Sequence, residues 1–206
     1  MAAAGPDWNS RFSGDEYAYG KAPNSWLEEI SKSHVTEGMT ITELGAGEGR
    51  NAVWLAKAYA AKVTALDMSE EGGKKTQLLA KELGVEVTTI TGDACADGEA
   101  GSNDVVVASM LHMPPKRDAM WSNISRILKP GGILLGEWYH PKQAIDKYGT
   151  GGPPDPTWCI DEDEVKAGLG TGGDYVLLES GEREVVEGAF HTGKGFTTRV
   201  VWRKAL

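Results

Sequence analysis

Residues 39–67 constrain the fold more than any other stretch of this chain. Met39 to Leu44 reads as a short strand, and Gly45-Ala-Gly-Glu-Gly49 breaks it. Asn51 to Ala60 then places Ala52, Val53, Leu55, Ala56 and Tyr59 at helical spacing. Lys62 to Leu66 is a second strand, ending at Asp67. Strand, glycine turn, helix and strand make a unit that needs a sheet with helices on its faces. Glycines at such a turn permit tight curvature and let a ligand approach the backbone. Asp67, 22 residues after Gly45, stands where a carboxylate accepts hydrogen bonds from ribose hydroxyls.

The alternation continues. Ser69 caps a helix through about Leu83, Val85 to Ile90 is a strand, and Asp104 to Ala108 is an apolar run typical of a strand buried on both faces. Pro114 to Leu128 reads as one helix, Lys129-Pro-Gly-Gly132 as a stop and turn, and Ile133 to Trp138 as another buried strand. The character changes after Tyr139. Gly149 to Pro156 is a Gly/Pro loop, and Asp161 to Leu169 is a helix opened by acidic residues. Tyr175 to Glu187 and Phe196 to Trp202 form an antiparallel pair joined by a hairpin-like connection over Gly188 to Gly195. Ahead of all this, Trp8 to Asn24 is an irregular arm with a short helical piece, and a helix starts near Pro23 with proline in its first turn. The expectation is one domain over 1–206: arm and helix over 1–37, a cofactor-binding core over 38–140, and a substrate-side flap with C-terminal strands over 141–206.

Composition narrows the partners. Lys plus Arg total 21 against 30 Asp plus Glu, a net charge of −9, which argues against a nucleic-acid partner. No apolar run approaches the ~18 residues of a membrane span, and the start, Met1 to Asp7, lacks the regions of a signal peptide. Two cysteines, Cys95 and Cys159, suit a reduced, cytoplasmic compartment. The glycine turn lacks the Lys and Ser/Thr of a P-loop. Its spacing is G-x-G-x-G, and Arg50 takes the place of the third glycine of the dinucleotide fingerprint. An NAD-linked oxidoreductase and a non-catalytic nucleoside-binding module are the alternatives from other functional classes.

Glu43-Leu-Gly-Ala-Gly-Glu-Gly49 resembles the first motif of class I S-adenosylmethionine-dependent methyltransferases. Asp67 in Ala65-Leu-Asp-Met-Ser69 matches their ribose-binding acid, and Gly92-Asp93-Ala94 their adenine-contacting acid. Asp104-Val-Val-Val-Ala-Ser109 matches their fourth strand and Leu128-Lys-Pro-Gly-Gly132 the turn before the fifth. The arm from Trp8 to Asn24, Tyr148 to Pro156 and Glu182 to Gly188 are similar to small methyltransferases of the tellurite-resistance and thiopurine/thiol group. The resemblance implies a Rossmann-like seven-stranded, mostly parallel α/β sheet with helices on both faces and an antiparallel C-terminal strand. It implies S-adenosyl-L-methionine as cofactor and a small-molecule acceptor, preferably a thiol, selenol or metalloid. N-methylation of an amide or amine is less favoured, because Ser109-Met-Leu-His112 stands where an Asn/Asp-Pro-Pro-aromatic motif would follow the fourth strand; a small-molecule N- or O-methyltransferase is the alternative within the family.

The candidate cofactor residues are Gly45, Gly47, Arg50, Asp67, Met68, Asp93, Ala94 and Ser109. Met68 either packs on the adenine face or fills core, and Cys95 reads as a buried filler. The candidate catalytic residues are His112, His191 and Arg199, with His140 behind them. In the tellurite-resistance relatives a late histidine and arginine are associated with the active site, and they map onto His191 and Arg199; a second arginine beside that histidine is Thr192 here. Arg199 otherwise pairs with an acid. Arg11, Tyr17, Tyr19 and Tyr139 are the substrate-side candidates, the arm residues serving either as a lid or as packing. No metal is expected. An anionic acceptor would need a positive group such as Arg11, Arg50 or Arg199. The oligomeric state is left open.

Overall fold

The computed structural model describes residues 7–188 and 190–206, so the reading of Met1 to Pro6 lies outside the described residues. The core is a seven-stranded sheet. Its strands are β1 (Thr40–Leu44), β2 (Lys62–Asp67), β3 (Thr88–Thr91), β4 (Asn103–Ser109), β5 (Leu128–Tyr139), β6 (Gly173–Glu187) and β7 (His191–Lys204), in the order β3-β2-β1-β4-β5-β7-β6. The first five run parallel, and β7 enters antiparallel between β5 and β6. The helices are α1 (Trp8–Phe12), α2 (Ser25–His34), α3 (Arg50–Tyr59), α4 (Glu70–Leu83), α5 (Arg117–Ile127), α6 (Lys142–Ile145) and α7 (Glu162–Leu169). The mostly parallel sheet and its antiparallel C-terminal end are as expected.

Two apolar layers cover the two faces. Leu27, Val53, Leu55 and Leu79 from α2, α3 and α4 pack on Ile41, Val105, Val107 and Leu135. Trp121, Ile124, Val165 and Leu169 from α5 and α7 pack on Leu44, Val106, Leu134, Trp138 and Trp202. Three tryptophans, Trp121, Trp138 and Trp202, are thus core. No helix among the described residues is long and apolar enough to cross a membrane.

Four of the boundaries that differ from the sequence reading do so for a clear local reason. Pro23 precedes α2 instead of sitting in its first turn; Asn24 is the cap, its side chain accepting from the Leu27 amide at 2.8 Å. The helix expected from Pro114 opens as a 3-10 turn over Pro114–Lys116 before α5, since adjacent prolines supply no amide donors. Lys129 to Gly132 does not end a helix and then start afresh. Leu128 already pairs with Asn103, and pairing resumes with Ile133 opposite Val105, so the turn is an irregularity within β5. Lys129 closes it on Asp104 at 2.6 Å. Finally, β7 begins at His191, five residues earlier than expected. The ladder runs on to Glu187 opposite His191 because Gly193 and Gly195 leave room for the Thr150 loop, whose hydroxyl donates to the Lys194 carbonyl.

Candidate cofactor and acceptor site

Parallel pairing of Leu44 with Leu66 puts the turn after β1 beside the acid that ends β2. The Gly45 amide donates to the Leu66 carbonyl at 2.8 Å, and the Gly47 amide to Asp67 Oδ2 at 2.7 Å. Asp67 Oδ1 accepts from the Ser69 amide at 2.8 Å. One carboxylate therefore sets both the glycine turn and the start of α4. Burial pushes Asp67 above the usual carboxylate range, with the Ser69 and Gly47 amides opposing. Gly49 takes φ +83° as the cap of α3, and a Cβ there would stand 2.5 Å from the Thr76 side chain. Only glycine meets both conditions. The Phe12 ring from the arm lies over Gly47, and Leu111 lies against Gly45.

The other cofactor candidates gather along the same strand ends. Asp93, two residues past β3, accepts from the Cys95 amide at 2.9 Å and pairs with Lys116 at 2.6 Å. That lysine, then the amide, holds it below the usual range. Ala94 and Cys95 are buried. Burial pushes the Cys95 thiol up to about 11, so it is a filler as expected. Met68 is 64% exposed, which rules out core filling and leaves a free apolar surface beside Asp67. Ser109 ends β4 opposite Glu137, and its buried hydroxyl has no partner.

A row of rings leads from the end of β4 to the arm. His112 stacks on Tyr139 at 6.0 Å, Tyr139 meets His191 edge-on at 5.4 Å, and His191 lies 4.8 Å from Tyr19. Tyr19 then meets Phe190 at 5.9 Å, and the Arg11 guanidinium stands 4.5 Å above the Phe190 ring. His112 Nδ1 is 3.1 Å from the Trp158 carbonyl and must carry the proton to bond there, so the partnerless, buried Nε2 holds a lone pair. Burial lowers His112 to about 3 and His191 to about 4, so both rings are neutral at physiological pH.

The structure does not bring every candidate here. Tyr17 donates to the Lys75 carbonyl at 3.0 Å and packs the arm onto α4. Arg199 does not meet His191. Both lie on one continuous strand, eight residues apart at ~3.3 Å each, and Arg199 pairs with Glu179 at 3.1 Å. An unbroken β7 is what separates them. His140 faces Glu162 at 3.8 Å, outside the row. A surface depression of about 910 Å³ between α7 and β6 shares only His140 with the candidates. Phe12, Leu111 and Phe190 were missed by sequence reading, because nothing local marks which apolar side chains fold over a turn.

Behind the row lies a buried ionic network that the sequence reading also missed. Arg183 bonds Glu137 through Nε at 2.6 Å and Nη2 at 2.7 Å, and Glu187 through Nη2 at 2.8 Å. Glu187 also takes Arg50 at 2.5 Å, and the Asn24 amide bridges Glu137 and Glu187 at 2.6 and 2.8 Å. Burial raises Glu187, but Arg50 and Arg183 overcome it and hold the group below its ordinary range. Arg50 is thus an anchor between α3 and β6 as well as a cofactor candidate.

Glu43, at the end of β1, accepts from Asn51 at 2.8 Å while its Oε2 has no partner. Burial pushes it up to about 7, against the Asn51 bond and Arg50. The folded chain therefore keeps a proton that the unfolded chain releases near pH 4.5, and Glu43 costs stability as pH rises from there to 7. Glu43→Gln should gain on the parent by about 3 kcal/mol between pH 5 and pH 8, read from urea midpoints. Parallel profiles for the two proteins would show that Glu43 is ionised throughout.

Residues 41–132 match the family model described as a methyltransferase domain. The chain is 33% identical over 111 residues to a sarcosine/dimethylglycine N-methyltransferase from Halorhodospira halochloris, covering 52% of this chain and 39% of that protein. It spans only 33–39% of the length of the first curated relatives it matches. Among solved structures, one solved for the conversion of a disulfide bond into a thioacetal group during echinomycin biosynthesis superposes with a TM-score of 0.76 at 17% identity. It covers 96% of this chain and 91% of that one. TehB from Haemophilus influenzae superposes with a TM-score of 0.67 at 16% identity, covering 87% and 62%.

Proposed function

We propose that this chain, whose residues 41–132 match the model of a methyltransferase domain, is a class I, S-adenosylmethionine-dependent methyltransferase that methylates a small-molecule acceptor, preferably a thiol, selenol or metalloid. The observation that carries the reading is the junction of the glycine turn with Asp67, the 2.7 Å bond that joins the ends of β1 and β2. The residues fit the cofactor. A turn that tolerates no side chain at Gly49, a half-buried carboxylate at the ribose position, the exposed Met68 and Asp93 after β3 stand on three neighbouring strand ends. When bound, the cofactor supplies a methyl group already activated by the sulfonium charge.

The chain's own residues then have to bind, orient and exclude water. Asp67, Met68, Asp93 and Ala94 would hold the nucleoside. Phe12 and Leu111 already lie over the glycine turn and would shield the reacting centre. His112, Tyr139, His191 and Tyr19 form the acceptor wall. An imidazole at about 3 or about 4 is a weak base near neutral pH. That supports an acceptor that is soft or already ionised. His112 Nε2, a neutral lone pair, is placed to accept a hydrogen bond from an N–H, O–H or S–H of the acceptor, and not from an ionised nucleophile.

The nicotinamide-linked alternative loses support from the sheet. The dinucleotide fold orders its strands 3-2-1-4-5-6 in parallel, whereas here β7 enters antiparallel beside β5. We treat arm, core and hairpin as one catalytic unit, placed in the reducing cytoplasm where Cys95 and Cys159 stay thiols. The net charge of −9 disfavours a nucleic-acid acceptor.

S-adenosylhomocysteine release should be measured against thiols, selenite, tellurite, amines and carboxylates. Turnover is expected with thiols or the metalloids. Turnover with amines alone would reverse the acceptor preference. Product release with any acceptor excludes a non-catalytic module. Absence of both heat and a melting shift with S-adenosylmethionine would end the methyltransferase reading itself.

A further inference from the structure

Three arginines had the means to read an anionic acceptor, and the structure commits two of them elsewhere. Arg50 is paired with Glu187, and Arg199 with Glu179. Arg183, which joins the same buried network, is paired with Glu137 and Glu187. The nearby lysines are matched too, Lys21 of the arm with Glu82 and Lys75 of α4 with Glu48. Arg11 remains. Among the described residues it lies over the face of Phe190 at 4.5 Å and within reach of the Tyr19 hydroxyl, with no ion-pair partner, and its charge is felt at both Tyr19 and His191. The two wall histidines carry no charge at physiological pH. Among the described residues, the one uncompensated charge on the acceptor wall is therefore positive, in a protein of net charge −9.

Resting on the methyltransferase reading above, we propose that the methyl acceptor carries an anionic group separate from its nucleophile, and that Arg11 reads this group at the outer end of the wall. The guanidinium fork suits a carboxylate or another oxyanion, which it takes with two parallel hydrogen bonds. The planar surface of Phe190 beneath it and the Tyr19 hydroxyl beside it keep the fork oriented, and its remaining N–H groups are open to an anion. Nearer the strand ends, Tyr19, His191, Tyr139 and His112 then meet the uncharged remainder of the acceptor and its nucleophile. Arg11 is a specificity-determining residue in this arrangement, with no part in the bond that forms.

The test uses pairs of acceptors that differ only in charge: 3-mercaptopropionate with its methyl ester, and sarcosine with its methyl ester. The full-length protein is compared with Arg11→Gln and Arg11→Lys. Whichever nucleophile is methylated, the acid should be preferred over the ester in the parent. Arg11→Gln should raise KM for the acid about tenfold or more and leave the ester unchanged, with Arg11→Lys in between. Added salt should weaken the acid's kcat/KM in the parent, since Arg11 is exposed. Equal losses on acid and ester would mean that Arg11 only packs the arm, and would overturn the proposal. So would acid and ester turning over alike in the parent. A weaker Kd for S-adenosylmethionine in Arg11→Gln with unchanged acceptor KM would assign the guanidinium to the cofactor's own carboxylate instead. Methyl transfer to none of the four probes while cofactor binds overturns the anionic-acceptor proposal; failure of cofactor binding itself is the separate result that removes the premise.

Discussion

Arg183→Met is expected to destabilise the protein by about 3–5 kcal/mol, the largest effect of any single substitution outside the apolar core. Glu137 and Glu187 are 0% and 1% exposed, and Arg183 supplies three of the bonds that hold their carboxylates. Methionine fills the space of the stem but leaves Glu137 with only the Asn24 amide. The loss comes from the stranded charge and not from the missing pair, since a buried pair gains little over apolar packing. Two measurements follow. The melting temperature should fall by on the order of 10 °C at pH 7.5. The deficit should shrink when Glu137→Gln is added, because the stranded carboxylate is then gone. A deficit under 1 kcal/mol, or simple additivity of the two changes, would show that water or another group satisfies Glu137. The arm should loosen as well, since Asn24 is tied to the same two glutamates and caps α2.

Asp67→Asn should weaken S-adenosylhomocysteine binding by about a hundredfold in calorimetry while the protein still melts cooperatively. Asp67 uses both oxygens on backbone amides, Gly47 at 2.7 Å and Ser69 at 2.8 Å. Asparagine has one oxygen and one NH2, so one amide would face a donor in place of an acceptor. Charge-assisted bonds of this kind are worth about 1.5–3 kcal/mol each. The variant therefore loses the shape of the glycine turn together with the charge offered to ribose. An unchanged Kd would mean that the ligand contacts neither the turn nor this carboxylate. Asp67→Glu offers a check, because it keeps the charge but moves it by one methylene.

Some of this was legible in one dimension. The strand-turn-helix of 39–60 and the acid at 67 are local, and the Gly47–Asp67 bond joins groups that parallel pairing of β1 and β2 had to bring together. Asp93 and Ser109 follow by the same rule, each at or near the end of its strand. His191 and Arg199 show where that reasoning stops. The resemblance to the tellurite-resistance group made them a pair, but a strand that continues through both holds them apart.

Charge tells the same story more sharply. The sequence by itself determined the alternation of strands and helices, the glycine turn, the acids that end β2 and follow β3, and a surplus of nine negative charges. Each depends on neighbours within a few residues or on simple counting. Only the tertiary structure decided which charges meet. Asn24, Glu137, Arg183 and Glu187 are brought together across separations of up to 163 residues, and Arg50 joins them from 137 residues away. That pairing, set by where the hairpin of β6 and β7 lands beside the arm, neutralises Arg50 and leaves Arg11 exposed and unmatched. The physical reason is that a buried ion must find its counter-ion in space. No local pattern in the chain records which distant residue folding will put beside it.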